Sequence, residues 1–527
     1  MAYPEYMKTP VIHASLIAAI LYCASGSLFA QTLRYASAFE PGTMDPHALA
    51  SAYATRVLNL IFDTVTARDE NFAIAPGLAT SWSPVQPTVW RFKLRAGVKF
   101  HDGSAFTADD VVFSIERALT PTSGVRFNIP NVTAARKVDE LTVDVTTSTP
   151  TPILPSSLSN FRVMSKAWAV KHKAERPQNF QAKEDTYSSR NAMGTGPYKL
   201  KEWVPDVKTV LVANPDYWGP RGNVKEAHYL VVTSAATRLA GLVSGELDFV
   251  IDPALQDVER LEKSPGVKVV KGIGRNTQFL GFDLDRDKLV YGDAGEKNPF
   301  KDVRVRRAVR LAIDSEALQT KIMRNLGVAG RALYSPGVEG YDRKFDQRPT
   351  YDPQRARALL NEAGYPQGFA VTLHCSASQP ADALCQAVTS MLARVGIRVT
   401  YQPLPFNNLL PRVTGRDVSF YGLGWSPSTD AEGVLVPLLH TPGPNGDGEY
   451  NVGRYSSPTV DGLVDRARVE LDSAKRTQML VQAMSAAEED VAYVTLTYRR
   501  VYWAMRSNIT VKPRPNDVLD LRYLNIN

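Results

Sequence analysis

The sequence predicts an α/β fold spread over more than one domain. Short apolar runs alternate with helical patterns along the chain, no repeat of roughly 20 to 50 residues recurs, and one βαβ unit can be read residue by residue. At 527 residues, 44% of them hydrophobic and 22% charged, the chain exceeds what one core usually serves, so two to four domains are expected. The 34 glycines and 35 prolines are near average usage, which excludes collagen-like and low-complexity chains.

The elements follow in chain order. Lys8 precedes an apolar stretch from Val11 to Tyr22, broken by His13 and Ser15, and small residues lead to Ala30. This is the charged, apolar and cleavage layout of a secretory signal over residues 1–30, so the mature chain is expected to start at Gln31. Leu28 is bulky for the third position before that cut, which leaves a cut near Ser27 as the alternative. Glu5 is out of place in a positive region, so Met7 competes with Met1 as the start. Tyr22 before Cys23 argues against lipidation. No later stretch approaches the roughly 18 to 20 apolar residues of a membrane span.

Thr107 with Asp110 three residues on reads as a capping box before Val111, Val112, Ile115, Ala118 and Leu119. From Asn128 to Pro155 the pattern becomes strand-like, as in Leu141, Val143 and Val145, and indicates an extra β-rich subdomain. Ser234 to Val243 is a helix stopped by Gly245, with a strand over Leu247 to Ile251 behind it. Asp352 and Pro353 give an N-cap and a first-turn proline to a helix that Gly364 closes. In the βαβ unit, Val371 to Leu373 is a strand, Leu384, Val388, Met391, Leu392 and Val395 keep helical spacing, Gly396 stops the helix, and Ile397, Val399 and Tyr401 alternate.

Charge excludes little. Sixty-one basic against 54 acidic residues leave +7, which does not demand nucleic acid. The densest basic run, Arg304, Arg306, Arg307 and Arg310, has no interleaved aromatics for stacking on bases and reads as a solvated helix face. Removing the leader leaves Cys375 and Cys385, which either close a disulfide in an oxidising compartment or remain as two buried thiols.

Catalytic patterns are missing. The seven histidines form no zinc-protease motif, no cysteine pair is spaced for zinc, and neither a G-x-S-x-G elbow nor a P-loop occurs. The glycines of Lys271 to Gly274 are followed by Thr277 where a dinucleotide fingerprint needs Gly. Asp283, Asp285 and Asp287 alternate like calcium-loop ligands, but Lys288 and Ala294 occupy the positions that need Gly and Glu, so exposed loop carboxylates are expected. The reading is a binding protein without cofactor or metal, not an enzyme.

The stretch LATSWSPVQPTVWRFKLRAGVKFHDGSAFTADDVVFSIERAL, residues 78–119, resembles the signature of the family 5 extracellular solute-binding proteins, which serve dipeptide, oligopeptide and nickel ABC importers. MGTGPYKLKEW from Met193, NPDYWG from Asn214, GELDFVID from Gly245, PFKDVRVRRAVRLAID from Pro299, YDPQRARALLNEAGYP from Tyr351 and VGIRV from Val395 extend the resemblance over nearly all of the mature chain. It implies a two-lobed periplasmic-binding-protein fold of type II with a hinge and an additional β-rich subdomain. The first lobe would be residues 31–270 with 490–527, holding an insert at about 69–189, and the second lobe 271–489. It also implies a periplasmic monomer that closes on a small peptide or peptide-like solute and delivers it to a membrane permease. A metal chelate, opine or saccharide is the alternative solute, and an exported hydrolase or chaperone the alternative role.

Trp425 matches a family position where an aromatic lines the pocket, with a core tryptophan as the competing reading. Peptide-binding relatives carry an Asp three residues later for the peptide amino group. Here that position is Ser428, and Asp430 is either its substitute or a helix cap. Arg162 resembles an arginine that nickel-type relatives use against chelate carboxylates, a role its planar fork suits, or it makes a surface or interlobe ion pair. Arg275 and Asn276 fall on the expected crossing segment, and Tyr450 is a further contact candidate.

Overall fold

The computed structural model describes residues 31–347, 350–427, 430–443 and 446–527. The expected leader and Ser428 lie outside the described residues.

The largest sheet has twelve strands, and two of them dominate its layout. Val267–Phe282 and Tyr493–Arg506, of 16 and 14 residues, pair antiparallel from Val267 opposite Arg506 to Gly281 opposite Tyr493. At about 3.3 Å per residue such a ribbon runs roughly 50 Å, long enough to cross from one lobe to the other. At one end Phe249–Val250 attaches to Met505 and Ala504, and the sheet continues through Thr32–Ser37, Glu226–Val231, Lys208–Ala213 and Tyr198–Val204. At the other end Phe420–Trp425 pairs with Thr277 to Phe282, and Phe369–Ser376 and Ile397–Leu404 follow.

Strand alternation then feeds separate cores on the two faces of each lobe. In the first lobe Val501, Trp503 and Met505 pack with Leu33 and Tyr35, whereas Ala504 joins Leu242 and Val250. In the second, Leu280 and Phe282 pack with Phe300 and Leu373, whereas Phe279 joins Tyr421 and Leu435. Because both faces of these strands are covered at their ends, apolar residues fall on both faces there, as in Phe279 to Phe282 and Val501 to Met505, and the crossing strands show no simple period-two pattern in the sequence.

The βαβ unit is Phe369–Ser376, the helix Ala381–Ala393 and the parallel strand Ile397–Leu404, with Gly396 at φ +97° in the turn. Cys375, near the strand end, and Cys385, in the helix, are disulfide-bonded with Cα atoms 6.6 Å apart. The bridge lies against Gly422, where a Cβ would sit 2.7 Å and 2.8 Å from the two sulfur atoms, so only glycine fits beneath it. The helices expected from caps also form. Asp352 accepts the Arg355 N–H at 2.8 Å at the head of Pro353–Glu362, and Ser234 accepts that of Thr237 at 3.2 Å at the head of Ala235–Ser244. Behind the latter only Phe249–Val250 is strand, shorter than the sequence pattern implies.

A separate four-stranded antiparallel sheet runs in the order Ala79–Gln86, Val89–Leu94, Thr142–Thr147, Val132–Asp139. Trp90, Phe92 and Leu94 are its buried face, and the helix Ala108–Leu119 covers it through Val111 and Ile115. Asp110 accepts the Thr107 backbone N–H at 2.9 Å, closing the capping box.

Two expectations are corrected. The arginine run is only in part a solvated face: Arg304 and Arg307 are exposed, but Arg306 is buried, its guanidinium donating to the carbonyls of Phe300, Asp490 and Val491, while Arg307 and Arg310 donate to those of Glu489 and Glu488. These cations satisfy carbonyls at the C-terminal end of Ser473–Glu489, where the helix dipole is negative. Asp283 is not an exposed carboxylate either. It is buried, accepts the N–H groups of Asp285 and Arg286 and pairs with the Arg286 guanidinium at 2.9 Å. Among the described residues no cluster is arranged to hold a metal ion, and no helix is long and apolar enough to cross a membrane.

Candidate functional site

A cleft of about 720 Å³ opens where the ribbon passes between the lobes. Its floor follows from a break in pairing. The register of the crossing strands shifts between Ile273 and Thr277, which frees Gly274, Arg275 and Asn276 from the ladder and turns them to the cleft. A Cβ on Gly274 would lie 2.7 Å from the Arg499 carbonyl, so the break needs glycine. On the facing strand Arg499, Arg500 and Tyr502 line the same space.

The first-lobe wall is built on the helix Ala52–Ile61, whose N-cap Ser51 accepts the Tyr53 N–H at 3.1 Å. Arg56, buried on this helix, donates to both oxygens of Asp252 at 2.9 Å, to Asp517 Oδ2 at 2.9 Å and to Ser37 Oγ at 2.7 Å. Asp517 also accepts the Trp503 indole N–H at 2.8 Å. Burial raises the Asp517 carboxyl to about 6, the Asp252 charge adds to this, and Arg56 offsets it in part. Asp252 meets the same burial, yet Arg56 and Ser37 hold it below the ordinary carboxylate range. Burial opposes the Arg56 charge, and the two carboxylates outweigh it, so the guanidinium stays protonated. The second-lobe wall is Gln379 and Pro380, ahead of Ala381–Ala393, with Ser426 and Pro427 at the end of Phe420–Trp425.

Of the residues singled out from the sequence, Arg275 and Asn276 line this cleft. Asn276 Nδ2 donates to Ser426 Oγ at 3.0 Å, and its Oδ1 accepts from Gln278 Nε2 at 2.7 Å, linking the ribbon to the second-lobe wall. The Arg275 guanidinium stands 5.6 Å from the Phe72 ring centre. Burial, with the neighbouring Arg68 charge, pulls its pKa down to about 10 against Asp430 and Glu339.

Trp425, Tyr450 and Asp430 form one neighbourhood beside the cleft wall. Trp425 immediately precedes the lining residue Ser426, is half-buried, donates its indole N–H to the Gly433 carbonyl at 2.8 Å and packs on Tyr450 with ring centres 5.0 Å apart. Asp430 is buried, accepts the Glu432 N–H at 3.0 Å and forms an ion pair with Arg476, so its oxygens already have partners. Its placement fits the structural alternative. Arg162 departs furthest from expectation. Its fork donates to Asn59 Oδ1 at 2.7 and 3.0 Å and to Thr55 Oγ1 at 3.0 Å, none of the ion pairs among the described residues includes it, and it is not in the cleft lining. Burial alone lowers its pKa to about 10.

Sequence reasoning missed Arg56, Asp252, Asp517, Arg499 and Arg500. One signal was present for the last two. Adjacent arginines interrupt the otherwise uncharged run from Tyr493 to Met505, and charges inside a largely buried strand need a local purpose.

A two-lobed frame with a cleft on crossing strands is a known architecture, and comparison with known proteins identifies it. The model of the bacterial extracellular solute-binding proteins, family 5, matches residues 73–446, well over half of the chain. The chain belongs to that family. Family 5 proteins bind solutes, which accords with a cleft lined by charged groups and with a fold built around a hinge. The dipeptide-binding protein of Escherichia coli K12 is 25% identical over 515 residues, covering 92% of each chain, and heme-binding protein A of Haemophilus influenzae is 26% identical over 455 residues, covering 81% of this chain and 79% of that protein. Among solved structures, HbpA2 of Haemophilus parasuis superposes with a TM-score of 0.81 at 21% identity, covering 94% of this chain and all of the other. The periplasmic binding protein DppA of Helicobacter pylori, in complex with the peptide STSA, superposes at 0.71 with 23% identity, covering 94% and 98%. These neighbours share the two-lobed type II fold with this family 5 chain.

Proposed function

We propose that this family 5 protein is the exported receptor of an ABC importer, capturing a small peptide or peptide-like solute in the interlobe cleft and delivering it to a membrane permease. The observation that carries the reading is the position of the cleft on the two strands that connect the lobes, so that a bound solute touches both walls and the hinge at once. A ligand drives closure only through contacts that are better in the closed arrangement, and a micromolar solute supplies about 8 kcal/mol from which that difference is drawn. The peptide-binding and heme-binding relatives support the class of solute. The lobe limits are taken as 31–270 with 490–527 and 271–489, with the insert near 69–189. The apolar leader supports export to the periplasm.

Engagement of Asp430 by Arg476 favours a second reading, in which the solute is a chelate, opine or saccharide without a free amino group. Trp425 is assigned to the solute side of its neighbourhood. A Trp425→Ala variant is expected to lose at least tenfold in affinity for whatever solute co-purifies with the mature protein, read by mass spectrometry after denaturation and by calorimetry. Trp425→Phe, which keeps a ring against Tyr450, should retain most of it. Unchanged affinity in Trp425→Ala would return this residue to a packing role.

A further inference from the structure

The charges on the cleft walls do not balance. Among the described residues four arginines, Arg56, Arg275, Arg499 and Arg500, face two aspartates, Asp252 and Asp517, a surplus of two positive charges. The aspartates are already committed, since both pair with Arg56. No ion pair among the described residues contains Arg499 or Arg500, whereas Arg56 has two. The Tyr502 phenol is a hydrogen-bond partner of Arg499. Arg500 is half-buried, and its Nε is a buried donor with no hydrogen-bond partner among the described residues. A buried guanidinium donor without an acceptor carries an uncompensated desolvation cost, and that cost is relieved when an acceptor arrives. Arg499 sits opposite the pairing break and Arg500 pairs with Ile273 at its edge, on the strand that must bend if the lobes close, and both residues line the cleft.

We infer that the solute is an anion, carrying at least two carboxylate groups, and that Arg499 and Arg500 are the residues that receive them. This rests on the receptor reading above and narrows it. Guanidinium forks bind carboxylates through paired hydrogen bonds, so the recognition is geometric as well as electrostatic. A neutral solute of the same shape would leave the Arg500 donor unmatched, and a cationic one would add to the repulsion. The inference also accounts for a cleft with no uncommitted acid for an amino group among its described lining residues, because the distinguishing groups of the solute are then acidic.

The test uses matched probes on the mature chain: the dipeptides Glu-Glu and Gln-Gln, which differ in side-chain charge at nearly constant shape, and citrate as a tricarboxylate that is not a peptide. Binding is measured by calorimetry and thermal shift at 20 mM and 500 mM NaCl, in the wild type and in Arg500→Gln and Arg499→Gln, with the melting temperature of each variant without probe as the folding control. The inference expects Glu-Glu to bind at least tenfold more tightly than Gln-Gln, to weaken with salt, and to lose at least tenfold in a variant whose melting temperature is unchanged. Equal affinity for Glu-Glu and Gln-Gln, or Glu-Glu binding untouched in both folded variants, overturns it and leaves the peptide receptor standing. Citrate bound while both dipeptides are ignored keeps the anion inference and removes the peptide reading. Failure of all three probes counts against both.

Discussion

Replacing Asp45 by alanine is expected to destabilise the mature protein by about 3–5 kcal/mol, because it strands a buried cation. Asp45 and Arg117 have fully buried side chains and meet through two hydrogen bonds of 2.8 and 2.6 Å. Asp45 also accepts the backbone N–H groups of His47 at 2.9 Å and Gln178 at 3.0 Å and the Ser188 hydroxyl at 2.9 Å. One carboxylate therefore ties the first-lobe chain to the helix Ala108–Leu119 and to the segment beyond it. Without it, Arg117 keeps, among the described residues, the carbonyls of Ala174 and Arg176. Arg117→Met together with Asp45→Leu should recover much of the loss, since both charges are then gone, and a double-mutant cycle on urea midpoints reads the coupling. Burial works against the Asp45 charge, but Arg117 and the donors outweigh it and push its pKa down to about 2. The folded value is below the unfolded one, so this stabilisation is complete above about pH 4 and is lost as pH falls toward 2. Wild-type stability should drop across that window, and the Asp45→Ala variant should show less of the drop.

Arg56→Met is expected to have the second largest effect, on stability and on binding together. The substitution leaves Asp252 and Asp517 facing each other in the cleft wall with no cation between them, at a cost of about 3 kcal/mol or more at neutral pH. Two neighbouring carboxylates cannot both ionise cheaply, so one takes up a proton and its folded pKa rises. A raised folded pKa gives stability that is present at low pH and lost as pH rises through it. The variant should therefore gain stability relative to wild type on going from pH 8 to pH 5. Solute affinity at pH 7.5 should fall at least tenfold, because the wall that the helix Ala52–Ile61 presents is no longer held to Asp252. A variant whose deficit is the same at both pH values would show that Arg56 acts through packing alone.

Local chemistry was legible in the sequence. The caps at Ser234 and Asp352, the glycine stops at Gly245 and Gly396, and the βαβ unit around the Cys375–Cys385 bridge each depend on residues within about one element of one another. Pairing over longer range was not. The strands between Asn128 and Pro155 read as β-rich, but the strand Val89–Leu94 that Thr142–Thr147 pairs with lies some fifty residues earlier, and nothing local specifies that order. The arginine run shows the same limit, since a helix face looks solvated until another helix is seen to end against it. The cleft is the extreme case. Arg56, Asp252, Arg275, Gln379, Arg500 and Asp517 come together only because two long strands cross between lobes, and a motif search cannot find a site whose residues share no segment. The resemblance to family 5 put Arg275 and Asn276 on the expected crossing segment, and both line the cleft, while its ligand positions at Arg162 and Asp430 fell on side chains with internal partners.

The central claim is that solute binding closes the two lobes over the cleft on the ribbon. Small-angle X-ray scattering on the mature chain, alone and saturated with a solute shown by calorimetry to bind one to one, tests it most directly. The account predicts a smaller radius of gyration and a shorter maximum dimension with solute, and neither change in a variant that no longer binds. A solute that saturates the cleft while the scattering curve stays the same would contradict it.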